Sequence, residues 1–386
     1  MTGDVLHIDR VQAWAYRQPV ESPVATSFGI MRTRPAVFVR IEDTDGAFGW
    51  GEIFANWPAS GAEHRCRLLA EDLGDLLTGV AFAGPADLFD RLTTATRIRA
   101  LQCGEPGPFA QVIAGLDTAA WDLCARRAGL PLRTHLNAGA TDRVPAYASG
   151  IAIAAAPEMI AQARGWGFDA VKVKIGFGAG EPARLARLRD DMGADCALMV
   201  DANQAWDEAE AMAFLTETTG LHLDWVEEPV IAIADPDIWK RLAAATPTPL
   251  AGGENLAGLG AFEAAIAERS LSVVQPDVAK WGGITGCRRV AERVRAAGLR
   301  YCPHFLGGGI GLAASAHLLA AAGGDGRLEV DINPNALRDA FGPVRDGLRD
   351  GLWDAGHAPG LGIETLPEAI EEYRTHTVAV SRKGRS

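Results

Sequence analysis

The sequence predicts an α/β protein: a modified TIM barrel, (β/α)7β, behind an α+β N-terminal capping domain. Two observations carry this. From Val144 onward short apolar runs alternate with helical patterns eight times over, and eight parallel strand-helix units specify closure into a barrel rather than an open doubly wound sheet. Three of those runs also end on an acid, Asp201, Glu227 and Glu254, spaced 26 and 27 residues apart. That spacing is about one strand, one helix and two loops, which sets the acids on the same end of neighbouring strands.

The first region is strand-rich. Val5-Leu6-His7-Ile8, Val11 to Tyr16 and Ala36 to Glu42 read as strands, and Asp45-Gly46 turns the last of them into Phe48 to Glu52 as a hairpin. Ser22 to Arg34, rich in small residues, is expected to be a mobile surface loop. Helical patterns follow at Gly61 to Gly79, Pro85 to Arg99 and Phe109 to Ala128, the last with an apolar stripe (Val112, Ile113, Leu116, Ala119, Ala120, Leu123) suited to a sheet face.

The barrel strands are expected at Ala146-Ser149, Ala170-Ile175, Ala197-Val200, Leu223-Val226, Leu250-Gly253, Val273-Gln275, Arg300-Cys302 and Arg327-Val330. The domains are then residues 1–135 for the cap, with specificity loops near 20–34 and 53–65, residues 140–335 for the barrel, and 336–386 for a segment returning to the cap.

Bulk properties narrow the function. The 386 residues are 48% hydrophobic, with a net charge of −12 and a pI near 5.2. Such a chain suits neither nucleic acid nor an anionic membrane surface. No stretch approaches the roughly 18 apolar residues of a membrane span, and the N-terminus lacks an export signal. The six cysteines form no CxxC pair, which fits a reducing cytoplasm.

The chemistry sits at the strand exits. Three carboxylates converging on one barrel mouth repel each other, and a hard divalent cation resolves that repulsion. An all-oxygen site with open positions suits Mg²⁺. In strand two, alternation points Val171, Val173 and Ile175 at the helices and Lys172 and Lys174 into the barrel. Each lysine lowers the other's pKa, which favours a neutral amine able to act as a base. Strand six ends on Asp277, with Lys280 just beyond, and strand seven ends on His304. A carboxylate beside an imidazole fixes its tautomer and raises its basicity. Lys174 and His304 would thus approach a substrate from opposite faces. Glu329 of strand eight is expected to donate a hydrogen bond to a carboxylate oxygen if it is protonated.

The ordered set KVK (172–174), DANQ (201–204), EEP (227–229), GGE (252–254), QPD (275–277) and PH (303–304) resembles the enolase superfamily, specifically its mandelate racemase subgroup. The resemblance covers nearly the whole chain. It implies one Mg²⁺ per subunit held by Asp201, Glu227 and Glu254, Lys174 as base with Lys172 supporting it, and His304, oriented by Asp277, as acid or base on the other face. Glu329 would be the electrophile opposite Lys172, and Asn203 would touch metal-bound or substrate oxygens. Lys280 stands where the muconate-lactonizing subgroup keeps a lysine, but the Asp277–His304 pair favours the mandelate racemase side.

The implied reaction removes the proton α to a carboxylate of a small-molecule acid, giving an enediolate, a mechanism general to that superfamily. Dehydration of an aldonate or aldarate to a 2-keto-3-deoxy acid is the expected outcome, with racemisation or epimerisation of a 2-hydroxy acid as the alternative and a non-catalytic binding homologue as a third reading. Arg32, Arg34, Asn56, His64 and Arg65 of the cap are expected to read hydroxyls or a distal carboxylate, while Phe28 and Trp57 would suit an apolar group. Relatives of this kind form homo-oligomers, dimers or octamers.

Overall fold

The cap is built on a sheet whose strands β1 (Leu6–Thr26), β2 (Gly29–Asp43) and β3 (Phe48–Ile53) pair antiparallel, with Ala13 opposite Val39 and Val39 opposite Gly51. In this computed structural model residues 5–26, 29–382 and 384–385 are described, with side chains over 5–21 and 29–382. Phe28 lies outside the described residues. The described part of the stretch from Ser22 to Arg34, residues 22–26 and 29–34, is strand rather than the loop its small residues suggest. Its two ends extend β1 and β2, which pair through Val24 opposite Met31 after a register shift beyond Pro19. Backbone ladder bonds override weak local propensity there.

The helix Pro106–Arg127 covers this sheet, and all six residues of its expected apolar stripe are buried. It can lie that close because β3 alternates glycine on the facing side: a Cβ at Gly51 would stand 2.0 Å from the Gly115 carbonyl oxygen, and one at Gly49 2.1 Å from that of Ala119. A two-residue strand, β4 (Ala81–Phe82), pairs with β1.

Eight parallel strands follow: β5 (Arg143–Ala152), β6 (Ala170–Lys174), β7 (Ala197–Asp201), β8 (Val226–Glu227), β9 (Leu250–Gly252), β10 (Val273–Val274), β11 (Arg300–Tyr301) and β12 (Leu328–Asp331). They pair in sequence from β5 to β11, and β12 returns to pair with β5. One helix of ten or more residues stands in each of the seven intervals. The expected eight strands are present, with ends shifted by a few residues; β8 begins at Val226 rather than Leu223.

Between β11 and β12 the described residues form no ladder. The seam closes by contact instead: the Arg327 N–H donates to the Cys302 thiol at 3.3 Å, and a Cβ at Gly326 would fall 1.9 Å from the Tyr301 carbonyl oxygen. Gly326→Ala is therefore expected to destabilise the protein by about 1–3 kcal/mol through forced backbone displacement. An unchanged denaturant midpoint would show that the seam can widen freely.

Inside the barrel an apolar layer of Tyr147, Ala170, Met199, Trp225, Ala251, Val273 and Cys302 fills the floor beneath the strand exits. The Trp225 and Tyr147 rings meet edge to face at 5.3 Å. After β12 the chain adds β13 (Leu348–Arg349) and β14 (Leu352–Asp354), which joins β5 antiparallel, and then β15 (Arg374–Ser381), which pairs with β1. No described helix is long and apolar enough to cross a membrane.

One buried histidine ties the two halves. His317, on the helix Gly309–Ala322, accepts the Arg133 N–H at 3.1 Å through Nδ1. Burial, reinforced by the Arg133 charge, pulls its pKa down to about 3. Because the folded value lies below the unfolded one, this stabilisation is complete above about pH 6.5 and is lost as pH falls toward the folded value. The melting temperature of the wild type is expected to drop below that pH more steeply than that of His317→Gln, whose amide oxygen can accept the same bond. Parallel pH profiles for the two proteins would remove His317 as the cause.

Candidate active site

Side-chain alternation stacks polar groups directly on the apolar floor. Lys172, next above Ala170 on the inner face of β6, is 1% exposed, and its ammonium donates to both Glu227 oxygens at 2.7 and 2.8 Å and lies 2.8 Å from Glu329. It also sits over the Tyr147 ring at 5.4 Å. Burial opposes its charge, but Glu227 and Glu329 outweigh that and raise its pKa well above the usual value.

The mouth is one layer higher. Lys174 donates to Asp201 Oδ2 at 2.5 Å and to Asn203 Oδ1 at 2.9 Å. Asp201 stands beside Glu227 in register across β7 and β8, as the spacing required. Across the mouth, His304 Nδ1 lies 2.7 Å from Asp277 Oδ2 and its Nε2 2.5 Å from Glu254 Oε2. Burial lowers the imidazole's proton affinity, yet Glu254 and Glu329 reverse this and hold it well above its usual value. The backbone leaves ordinary space where these strands end: Asn203, Gln204 and Glu228 all adopt positive φ, +46°, +63° and +38°. Strain of this kind concentrates at functional sites.

Three expectations change. Lysine–lysine repulsion does not decide the pKa of Lys174: burial and Lys172 push it down as expected, but Asp201, 2.5 Å away, outweighs them and the net shift is upward. Glu329 is not a protonated donor. Burial alone would raise it, but Lys172 and His304 bring it to about 2, and it accepts from the Ser149 hydroxyl at 2.5 Å and the Phe305 N–H at 3.2 Å. Finally, the three strand-exit acids are drawn to separate cations, Lys174, Lys172 and His304, and the described residues contain no group of three His, Cys, Asp or Glu at metal-holding distances.

The donor set nevertheless fits a hard cation. It consists of oxygens only, and burial together with the Asp201 charge pushes Glu227 up to about 7, the repulsion that a divalent ion relieves. Asn203 stands beside them, its amide nitrogen donating to Asp201 Oδ2 at 3.3 Å and its amide oxygen accepting from Lys174.

A cavity of about 830 Å³ opens above these groups, lined by Lys174, Asn203, Glu254, His304 and Glu329 within, and by Arg34, Asn56 and Lys280 toward the cap and rim. Arg34 is buried and tied to Asp331 at 2.9 Å, Asn56 donates to the Leu306 carbonyl at 3.1 Å, and Lys280 donates to Asn255 at 2.6 Å. Arg32 and His64, expected to read substrate groups, do not line this cavity. Arg32 is exposed near the start of β2, while Arg34, two residues further along on the same face, is buried over the barrel, and His64 pairs with Glu105 at 3.2 Å outside the cavity lining. Arg65 holds Gln111 and the Trp57 carbonyl rather than the cavity.

Several polar contacts had no assigned role. Gln275 donates to Glu227 at 2.6 Å, Asn255 to Glu254 and Glu228 at 2.9 and 2.7 Å, and Gln204 accepts the Ala232 N–H at 2.9 Å. Trp206 packs on Phe214 at 4.5 Å. Ser149 and Gln275 could have been found by carrying the inward alternation through every strand.

The comparisons agree with this architecture. Residues 154–369 match the enolase C-terminal domain-like family and residues 10–136 the mandelate racemase / muconate lactonizing enzyme N-terminal domain. A solved mandelate racemase/muconate lactonizing enzyme from Bordetella bronchiseptica is similar at 48% identity and a TM-score of 0.90, over 96% of this chain and 99% of that one. An L-talarate dehydratase from Polaromonas sp., solved with Mg and L-glucarate, is similar at 26% identity and a TM-score of 0.82, over 97% and 99% of the two chains. D-galactarolactone cycloisomerase of Agrobacterium fabrum is 28% identical over 96% of this chain and 99% of its own length. With both domains matched and the motifs seated at the barrel mouth, the chain belongs to the enolase superfamily, in its mandelate racemase subgroup.

Proposed function

We propose that this protein is a Mg²⁺-dependent hydro-lyase that removes the proton α to the carboxylate of a sugar acid and expels a β-hydroxyl as water. The observation that carries this is a lysine at the end of β6 and an aspartate-braced histidine just beyond β11, both facing one cavity. Lys174 Nζ takes the α-proton, and the substrate passes through an enediolate. His304 Nε2 gives its proton to the departing hydroxyl as the C–O bond breaks, and the resulting enol becomes a 2-keto-3-deoxy acid. A poor leaving group of this kind needs an acid, which a lactone carboxylate would not.

Asp201, Glu227 and Glu254 would hold the Mg²⁺, with Asn203 beside them, and the ion when bound supplies positive charge to the substrate carboxylate. Lys174 works as a base only when the Asp201 charge is engaged elsewhere. Glu329, ionised, holds Lys172 and Ser149 in place. Asp277 keeps His304 in one tautomer. Arg34, Asn56 and Lys280 border the substrate; Arg32 and His64 take no part. The reading divides the chain into the cap (1–135), the barrel (140–335) and the returning segment (336–386). Six free cysteines, five of them buried, support a reducing cytoplasm, where the chain would work as a homo-oligomer.

Proton NMR in D₂O with Mg²⁺ and a panel of aldonates, aldarates, lactones and hydroxy acids tests this. Loss of water to a 2-keto acid supports it, whereas ring opening of a lactone alone overturns the dehydratase reading.

A second reading has its own support. The outer cavity wall is apolar, formed by Met31, Phe54, Trp57, Ile153, Met159 and Phe177. Those side chains favour an acid with an alkyl or aryl end, and two bases across the mouth suit its racemisation. Exchange of the α-hydrogen with inversion and no water loss would select that reading.

A further inference from the structure

The cap touches the active site unequally. At the end of β3, four residues reach the barrel or its cavity. Glu52, 4% exposed, accepts the Gly308 N–H at 2.5 Å and the Gly311 N–H at 2.8 Å, bracing the start of the helix Gly309–Ala322. The Phe54 N–H donates to the Ala279 carbonyl at 3.1 Å. Asn56 donates to the Leu306 carbonyl at 3.1 Å, and Trp57 lines the cavity.

These bonds land on two loops. One runs from His304 to Gly308, the other from Asp277 to Lys280, and together they carry both members of the 2.7 Å His304–Asp277 pair. The loop after β6, next to Lys174, is held differently: its Gly176 and Phe177 N–H groups are capped at 2.8 and 3.0 Å by Glu181 of its own helix. The acid side of the site is thus braced by the cap, and the base side by the barrel itself.

The fit at Glu52 is close. A Cβ at Gly307 or Gly308 would stand 2.7 or 3.0 Å from Glu52 Oε1, so the glycines let the chain fold over this carboxylate. Burial pushes the Glu52 carboxyl up to about 7, a cost that two backbone bonds offset. An acid buried at a domain junction and aimed at one catalytic loop has a use beyond packing.

We propose that Glu52 is a positioning residue that, from the cap, sets His304 for proton delivery without acting on Lys174. This rests on the reading of Lys174 as base and His304 as acid. Removing Glu52 then slows water loss while α-proton removal continues, so the intermediate returns to substrate carrying deuterium. In D₂O the ratio of elimination to α-hydrogen exchange is expected to fall roughly 10- to 100-fold in Glu52→Ala, as for a small misplacement of a catalytic group. Glu52→Gln, which keeps one acceptor oxygen, should fall in between.

Asp122→Asn is the control. Asp122 accepts the Trp50 and Leu361 N–H groups at 2.7 and 2.6 Å, in the same cap but away from either loop. It should lower the melting temperature and leave the ratio unchanged. A second readout needs no substrate: the His304 ring resonances, assigned by difference with His304→Gln, should shift in Glu52→Ala and not in Asp122→Asn.

A proportional loss of exchange and elimination in Glu52→Ala, or an unmoved His304 signal, would overturn the proposal and leave Glu52 a structural prop. If the wild type eliminates water from no acid, the dehydratase reading fails, while the His304 resonances still decide this one.

Discussion

Lys174→Ala is expected to lower the rate of α-proton exchange and of elimination together, by roughly 10²–10⁴-fold, the range typical of losing a positioned general base. Both fall because proton removal precedes either outcome. The change should lie in kcat more than in KM, since Lys174 is tied to Asp201 and Asn203 at 2.5 and 2.9 Å and its loss does not empty the cavity of charge. Stability should fall as well, because Asp201, 1% exposed, keeps no ammonium within 3 Å. A melting curve therefore accompanies the kinetics. His304→Gln makes the complementary case: exchange persists and water loss does not. Full activity in Lys174→Ala would move the base elsewhere, and Lys280, at the cavity edge, would be the next candidate to test.

Removal of divalent metal is expected to abolish turnover and to lower the melting temperature. A ligand bound only by the folded state stabilises it by RT ln(1 + [L]/Kd), about 2.7 kcal/mol at a hundredfold excess over Kd. For a chain of this size that is an upward shift of a few degrees, read by titrating Mg²⁺ into chelator-treated protein. Glu227→Gln should abolish the shift, since it deletes one of three charges that the ion would balance. That variant also leaves Lys172 with Glu329 as its remaining close acid partner, at 2.8 Å, so its own baseline stability must be measured. No Mg²⁺-dependent shift in the wild type would set aside the cation site and leave the three acids as partners of Lys172, Lys174 and His304 only.

Inward alternation on β6 makes the two lysines legible in the order of residues alone: Val171 and Val173 pack toward the helices while Lys172 and Lys174 face inward. The spacing of Asp201 and Glu227 likewise anticipates their register across β7 and β8. Features that depend on what a side chain meets at long range are not legible in this way. The segment from Ser22 to Arg34 carries residues typical of a loop, yet Val24, Ala25 and Thr26 of β1 pair with Met31, Ile30 and Gly29 of β2. Burial by itself would raise the Glu329 pKa. Its ionisation is decided by Lys172 and Ser149 on two other strands and by His304 in the loop beyond β11.

The cap residues divide the same way. Arg32 and Arg34 are equivalent by composition and share one face of β2, but Arg34 lies further along the strand where the barrel meets it, so Arg34 meets Asp331 and Arg32 meets solvent. Asn56 and His64, both assigned to the same expected loop, part because a helix begins at Gly61 and turns His64 toward Glu105.

By itself the sequence determined the barrel, its eight-fold rhythm, and the acids, lysines and histidine at one end, because strand period and unit length are local properties that survive in the order of residues. Only the tertiary structure decided which charge each of those groups meets, which cap side chains reach the cavity, and that Glu52 braces a loop 256 residues away. Those outcomes depend on distances between distant segments, and on burial that magnifies every charge within them.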